Sequence, residues 1–253
     1  MTIVVYDGSF AGLLTAIFEV YEYKIQEASI SKTELVSGSL FGIMHNVITN
    51  TDKSQRVLKK LEQRISPRAL QQLYHAYLSE IKDVENLLLR YIQYSLKSDP
   101  AMESNYGDDD VLLVQQISKK ISREKHRMEA FVRFQLTKDE LYYSIIQPDY
   151  NVLPLISKHF EDRYADQRWL IYDAFRKYGL YYNGENVEEV QMQFAADLSN
   201  AQSMRNIFDD REELFQQLWK LYFNSVNIAA RKNLKLHIQH MPKRYWRYLI
   251  EKQ

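Results

Sequence analysis

The chain has no cysteine. That absence removes disulfides, thiolate nucleophiles, zinc ribbons and iron–sulfur clusters from what this polypeptide can build by itself. Long apolar runs are missing as well. The opening residues, MTIVVYDGSF, carry no basic leader and no stretch of membrane-spanning length, so a cytoplasmic protein with no membrane contact is expected. Net charge is also absent, because 33 Lys and Arg balance 33 Asp and Glu. The informative quantity is then where the charges sit. The chain further lacks a phosphate-binding loop, a GxSxG elbow, a dinucleotide fingerprint and an HExxH pair. It bears no enzyme signature and implies no cofactor, and whether it catalyses anything stays open.

What is present suits a globular protein. A length of 253 residues, 45% apolar and 26% charged, can bury a core as one large domain or two small ones. Aromatics reach 13%, mostly from 19 tyrosines, whose flat faces and hydroxyls serve half-wet interfaces as well as cores.

The pattern along the chain predicts an α+β fold, mainly helical. Thr2–Tyr6 is a short β-branched strand, Asp7-Gly8-Ser9 a capped turn, and Leu13, Leu14, Ile17, Phe18 and Tyr21 recur at helical spacing. Leu40–Ile48 is a candidate strand, and residues from Ser54 are helical. Ser66-Pro67 marks a cap with proline at the first helical position. One long helix is expected from there to about Lys97, on the stripe Leu70, Leu73, Tyr77, Ile81, Val84, Leu88 and Tyr91 or Ile92. Met102–Asp110 is the linker candidate, giving domains of 1–101 and 111–253 or one compact domain. Asp108 to Asp110 suit the start of a helix better than a metal site, since carboxylates there face the helix dipole. Strands are expected at Glu129–Leu136 and Leu141–Gln147, a helix at Val152–Arg163, and strands at Trp169–Ala174 and Gly179–Tyr182. Together these form a central strand-strand-helix-strand-strand block. Past Glu188 the signal turns helical, with Asp209-Asp210 as a cap, and Pro242 starts the last helix.

Charge concentrates in two places. From Ala230 onward, Arg231, Lys232, Lys235, Lys243, Arg244, Arg247 and Lys252 face Glu251 alone, with Asn233, His237, His240, Tyr245, Trp246 and Tyr248 among them. Cations attract phosphates, and rings stack on bases or carry a guanidinium, so this mixture suits a polyanion. The plainer alternative is a helix with rings packed inward and charges in water. The pair His237 and His240 lacks a third ligand for a metal, and no metal is expected. The second zone holds Lys119, Lys120, Arg123, Lys125, Arg127 and Arg133 beside His126. On the predicted strand Phe131-Val132-Arg133-Phe134, Arg133 is either paired with a carboxylate or aimed at a ligand. His159, Arg163, Asp166, Arg168, Trp169, Asp173 and Arg176 make a further polar run, which fits an acid–base site or a salt-bridge lattice.

Four of these segments resemble, in order, a bacterial family of unknown biochemical activity: YDGSFxGLLTAIFE (Tyr6–Glu19), HRMxxFVRF (His126–Phe134), PDYNVLPLISKHFxxRYADQRWLIYD (Pro148–Asp173) and RKNxxLxxxHMPxRYW (Arg231–Trp246). Its members are labelled DNA-metabolism or DNA-repair proteins, are typically encoded beside a radical-SAM DNA-modification protein, and are sometimes fused to a uracil-DNA-glycosylase-like domain. The resemblance implies a DNA-repair companion with DNA and a radical-SAM enzyme as partners. It supplies no catalytic residues. An acidic residue often stands in that family where Ala11 is here, which weakens a metal or base role for the first turn.

Three functions follow as expectations. In the first, an accessory protein binds nucleic acid through Arg231, Lys232, Asn233, His240, Lys243, Arg244, Tyr245, Trp246 and Arg247. In the second, an enzyme acts on a damaged nucleotide through a central site drawn from His126, Arg127, Arg133, His159, Arg163, Asp166, Trp169 and Asp173. The third is a tyrosine-rich scaffold that never touches DNA. The first is the leading expectation.

Overall fold

The computed structural model describes residues 1–33, 43–97, 100–191, 212, 215–219 and 234–252. Arg231, Lys232, Asn233 and the expected cap at Asp209-Asp210 lie outside the described residues. The fold is α+β, and the chain divides into two compact units, Met1–Ser122 and Arg123–Gln253. Among the described residues no helix is long and apolar enough to cross a membrane.

In the first unit the expected N-terminal strand β1 (Thr2–Tyr6) is the centre of a three-stranded parallel sheet. It lies between β2 (Ala28–Lys32) and β3 (Ile43–Asn46), with Thr2 opposite Ala28 and Ile43. Parallel neighbours need a crossover, and helix α1 (Phe10–Glu22) supplies it between β1 and β2. The Asp-Gly-Ser turn caps α1. Ser9 Oγ accepts from the Gly12 amide at 2.9 Å, while Asp7 accepts from the Ser9 amide, the Ser9 hydroxyl and Thr49. Gly12 fits closely there, since a Cβ would run into the Asp7 carboxylate and lie 2.8 Å from Thr49 Oγ1. Helix α2 (Thr51–Glu62) packs beside α1.

The long helix expected after Ser66 is two helices, α3 (Pro67–Leu78) and α4 (Val84–Lys97). Its start is as read, with Ser66 accepting from the Ala69 amide at 3.1 Å and Pro67 in the first turn. Glu80 (φ 52°) and Asp83 (φ 68°) break the middle, taking left-handed conformations no helix interior holds. Val4, Tyr6, Leu13, Ile17, Leu61, Leu73, Leu88 and Ile92 form the core, where the Tyr6 hydroxyl donates to buried Glu85 at 3.2 Å. Burial, joined by the Glu85 charge, pushes the Tyr6 phenol far above its usual range. Asp108 accepts from the Val111 amide and so caps helix α5 (Asp109–Phe131), as the carboxylate run suggested.

In the second unit a five-stranded sheet runs in chain order: β4 (Gln135–Leu136), β5 (Tyr142–Ile146), β6 (Trp169–Asp173), β7 (Tyr178–Tyr182) and β8 (Val187–Val190). Only β5 and β6 are parallel, joined through helix α6 (Leu153–Arg163). The central block is therefore present, with two corrections. The strand expected from Glu129 is helix as far as Phe131, because α5 keeps its apolar spacing through Ile117, Ile121 and Met128. Arg133 sits in the short link to β4, not inside a strand. Glu189 and Val190, past the Glu188 where a helical signal was expected to begin, instead belong to β8, which pairs with β7. All five residues of β6 are buried, and Trp169, Phe134, Phe160, Tyr164 and Tyr182 make an aromatic core around its first residue. Residues 215–219 are helical, and α7 (Leu234–His240) leads to two 3-10 turns, Lys243–Tyr248 and Ile250–Lys252.

Candidate nucleic-acid interface

Pro242 ends one conformation and opens the next: it precedes a 3-10 turn, where side chains three apart stand in line. Lys243 then shares a row with Trp246, Arg244 with Arg247, and Tyr245 with Tyr248. The tyrosine row turns inward. Tyr245 is 2% exposed, its hydroxyl donates to Glu124 on α5, and its ring meets Phe131 at 5.8 Å. Tyr248 donates to Gln147 at 2.9 Å. Leu249 and Ile250 are buried behind them.

The outer rows hold the cations. Lys243, Arg244 and Arg247 are exposed, and Trp246 is half-buried with its indole N–H fixed on the Met241 carbonyl at 3.0 Å. Lys243 Nζ lies 5.9 Å and Lys252 Nζ 5.3 Å from the centre of that ring. Arg247 lies 4.6 Å over Tyr248. His240 is exposed at the end of α7.

Arg244 is engaged from within. Its guanidinium reaches Asp149 at 2.6 Å and the fully buried Glu124 at 3.3 Å, and rides 4.5 Å over Tyr245. Arg127 meets the same Glu124 oxygen at 3.4 Å, and the Asp149 amide donates to the other at 2.9 Å. Partial burial pushes the Asp149 carboxyl above its usual range; Arg244 pulls the other way, and the Glu124 carboxylate adds to the rise.

A second anchor holds the end of the segment. The Glu251 side chain is wholly buried and accepts from Arg133 at 3.0 Å and from the Trp219 indole at 2.9 Å. Of the two roles open to Arg133, the structure shows the pairing. Burial by itself would raise the Glu251 carboxyl, but its own backbone amide, Trp219 and Arg133 outweigh that and hold it below the usual range.

The central residues separate. Asp173 is fully buried and closes the β6–β7 turn, accepting from the amides of Phe175 and Arg176 and pairing with the Arg176 guanidinium at 2.9 Å. Trp169 is 0% exposed at the other end of the same strand, about 13 Å away at strand rise. His159, Arg163 and Asp166 belong to the end of α6 and the link that enters β6 at Trp169, so they share that far end. His126 is exposed on α5. A recess lined by Met128, Phe131, Ile146, Gln147, Tyr245, Tyr248 and Leu249 contains none of them. Among the described residues no group of three His, Asp or Glu could hold a metal ion. Sequence reasoning missed Glu124 and Asp149 because they lie more than ninety residues from Arg244, with no local signal linking them.

Neither the curated proteins nor the solved structures contain a match to this sequence. Residues 82–251 match the family described as DUF4130, a domain of unknown function. That match covers most of the chain, and the protein belongs to the DUF4130 family.

Proposed function

We propose that the protein is a nucleic-acid-binding accessory factor of DNA repair or DNA metabolism, contacting DNA through the segment Lys243–Lys252. The setting of Trp246 carries this reading. Its indole donates a hydrogen bond to the Met241 carbonyl, is partly open to solvent, and is accompanied by two lysines. Such a ring can stack on an unpaired base while the cations meet flanking phosphates. Lys243, Arg247 and Lys252 are the phosphate contacts in this scheme. Arg244, held by Asp149 and Glu124, and Tyr245, buried, are supports. The resemblance to DNA-repair companions points the same way. A chain without cysteine has no thiolate for an iron–sulfur cluster, so radical chemistry falls to a partner enzyme.

Fluorescence anisotropy with labelled single- and double-stranded DNA, with and without uracil, across a salt series tests this. Three phosphate contacts give a slope of log affinity against log salt of about −2 on a single strand. Trp246→Ala should weaken binding by roughly 1–3 kcal/mol, the worth of one stacked base. Lys243→Ala should flatten the slope by about 0.7, and Arg244→Ala should affect binding less than either. Affinity that ignores salt, or no binding at low salt, rejects the reading.

A further inference from the structure

We infer that the first unit carries its own surface for single-stranded nucleic acid, formed by Phe18 and Tyr23 beside Lys53, Arg56, Lys59 and Lys60. It lies in a different unit from Lys243–Lys252 and does not rest on that reading. Helix α2 buries Ser54 and Leu61 and half-buries Val57 and Leu58, so its cations are left to the outer side. Arg56 and Lys60 stand one turn apart, about 40° around the helix and about 6 Å along it. Glu62 is about 160° away from Lys60 on the same wheel. Asp52 stands one turn before Arg56 and about 20° from Lys59 on the wheel, so the outer side of α2 is mixed in sign but keeps an excess of cations, Arg56, Lys59 and Lys60 against that carboxylate. Among the described residues no ion pair engages Arg56, Lys59 or Lys60.

One of those cations, Arg56, lies at a ring. Arg56 sits 4.8 Å from the centre of the Phe18 ring, and Lys53 lies 5.4 Å from Phe18 and 5.7 Å from Tyr23. Tyr23 is 57% exposed at the end of α1 and meets His45 edge-on at 5.3 Å. Lys53 is fixed by Glu19 at 2.9 Å and Glu22 at 2.6 Å, so it orients the two rings rather than reaching for a ligand. Half-buried Phe18 under unpaired Arg56, exposed Tyr23 on the other side of Lys53, and Lys60 one turn beyond Arg56 offer what a single strand needs: faces for bases and charges for its phosphates. A membrane surface would require apolar side chains on the outer face of α2, and that face has none.

The test uses the full chain in four forms: wild type, R56E/K60E, K243A/W246A and the combination. Each is titrated into labelled oligo(dT) across a salt series, with circular dichroism confirming the fold and Lys60→Ala as the milder substitute. The expected result is at least a tenfold loss of affinity for R56E/K60E and a slope flatter by about 1.4, two contacts' worth on a single strand. An oligonucleotide carrying 5-iodouracil should cross-link to Tyr23 or Phe18. If R56E/K60E binds as wild type while K243A/W246A is weakened, this inference falls and the C-terminal reading stands. The reverse pattern upholds this surface and removes the other. No binding by wild type removes both. Phosphatidylserine vesicles that bind wild type but not R56E/K60E, with oligo(dT) binding unchanged, overturn it in favour of lipid.

Discussion

Glu251 shows how much one side chain near the end of the described chain can govern. Its carboxylate has no exposed surface, and an arginine and an indole from distant segments both donate to it. Replacing it with Gln keeps the shape but leaves Arg133 without its counter-charge, which costs about 1–3 kcal/mol. Urea unfolding at neutral pH measures this. The sign of the pH dependence follows from the lowered carboxyl. Its stabilisation is present above the unfolded value of about 4.3 and is lost as pH falls through the lower folded value. The Gln variant should therefore lose its deficit relative to wild type in acid. At this scale the sequence was only partly informative. It placed Tyr245 and Trp246 together as stacking candidates, and nothing in residue type separated them. The 3-10 turn did so, by aligning residues three apart and sending Tyr245 inward to Glu124.

At the scale of elements, apolar periodicity found most helices and central strands, since it follows directly from which face is buried. It failed where breaks carried no breaker. Glu80 and Asp83 end and restart a helix without Gly or Pro, so the stripe from Leu70 to Ile92 read as continuous. The strands β2 and β8 were missed for another reason. ASISK and VEEV hold few apolar residues, and their pairing comes from neighbours in the sheet. Two glycines show what the elements demand. Gly12→Ala drives a methyl into the Asp7 carboxylate, a side chain that can turn away at the loss of its hydrogen bonds from Ser9 and Thr49. Gly179→Ala places it 2.8 Å from the Ile171 carbonyl in the adjacent strand, which cannot. Both should lower stability by about 1–3 kcal/mol, with Gly179→Ala the larger loss, as thermal unfolding of the two variants would rank them.

For the whole molecule, a zero net charge conceals local sets of cations, among them α2 in one unit and Lys243–Lys252 in the other. Association with a polyanion then depends on those sets and not on the isoelectric point. Arg133, Arg176 and Arg244 are each matched by carboxylates and add little to the outer field. Sequence composition supplied the C-terminal zone and the one from Lys119 to Arg133 but not the set on α2, nor which cations are matched, because the partners Asp149 and Glu251 become visible only once the chain is folded.

The three tryptophans have an optical consequence. Trp169, Trp219 and Trp246 all lie in the second unit, so red-edge emission is blind to residues 1–122. Each occupies a distinct medium: an aromatic core, an ion-paired indole, and a half-open ring between ammonium groups. Iodide should be drawn to the last by Lys243 and Lys252, and caesium repelled. Quenching by iodide should exceed quenching by caesium, and the excess should vanish in Trp246→Phe. Bound oligonucleotide should protect the same fraction of the light.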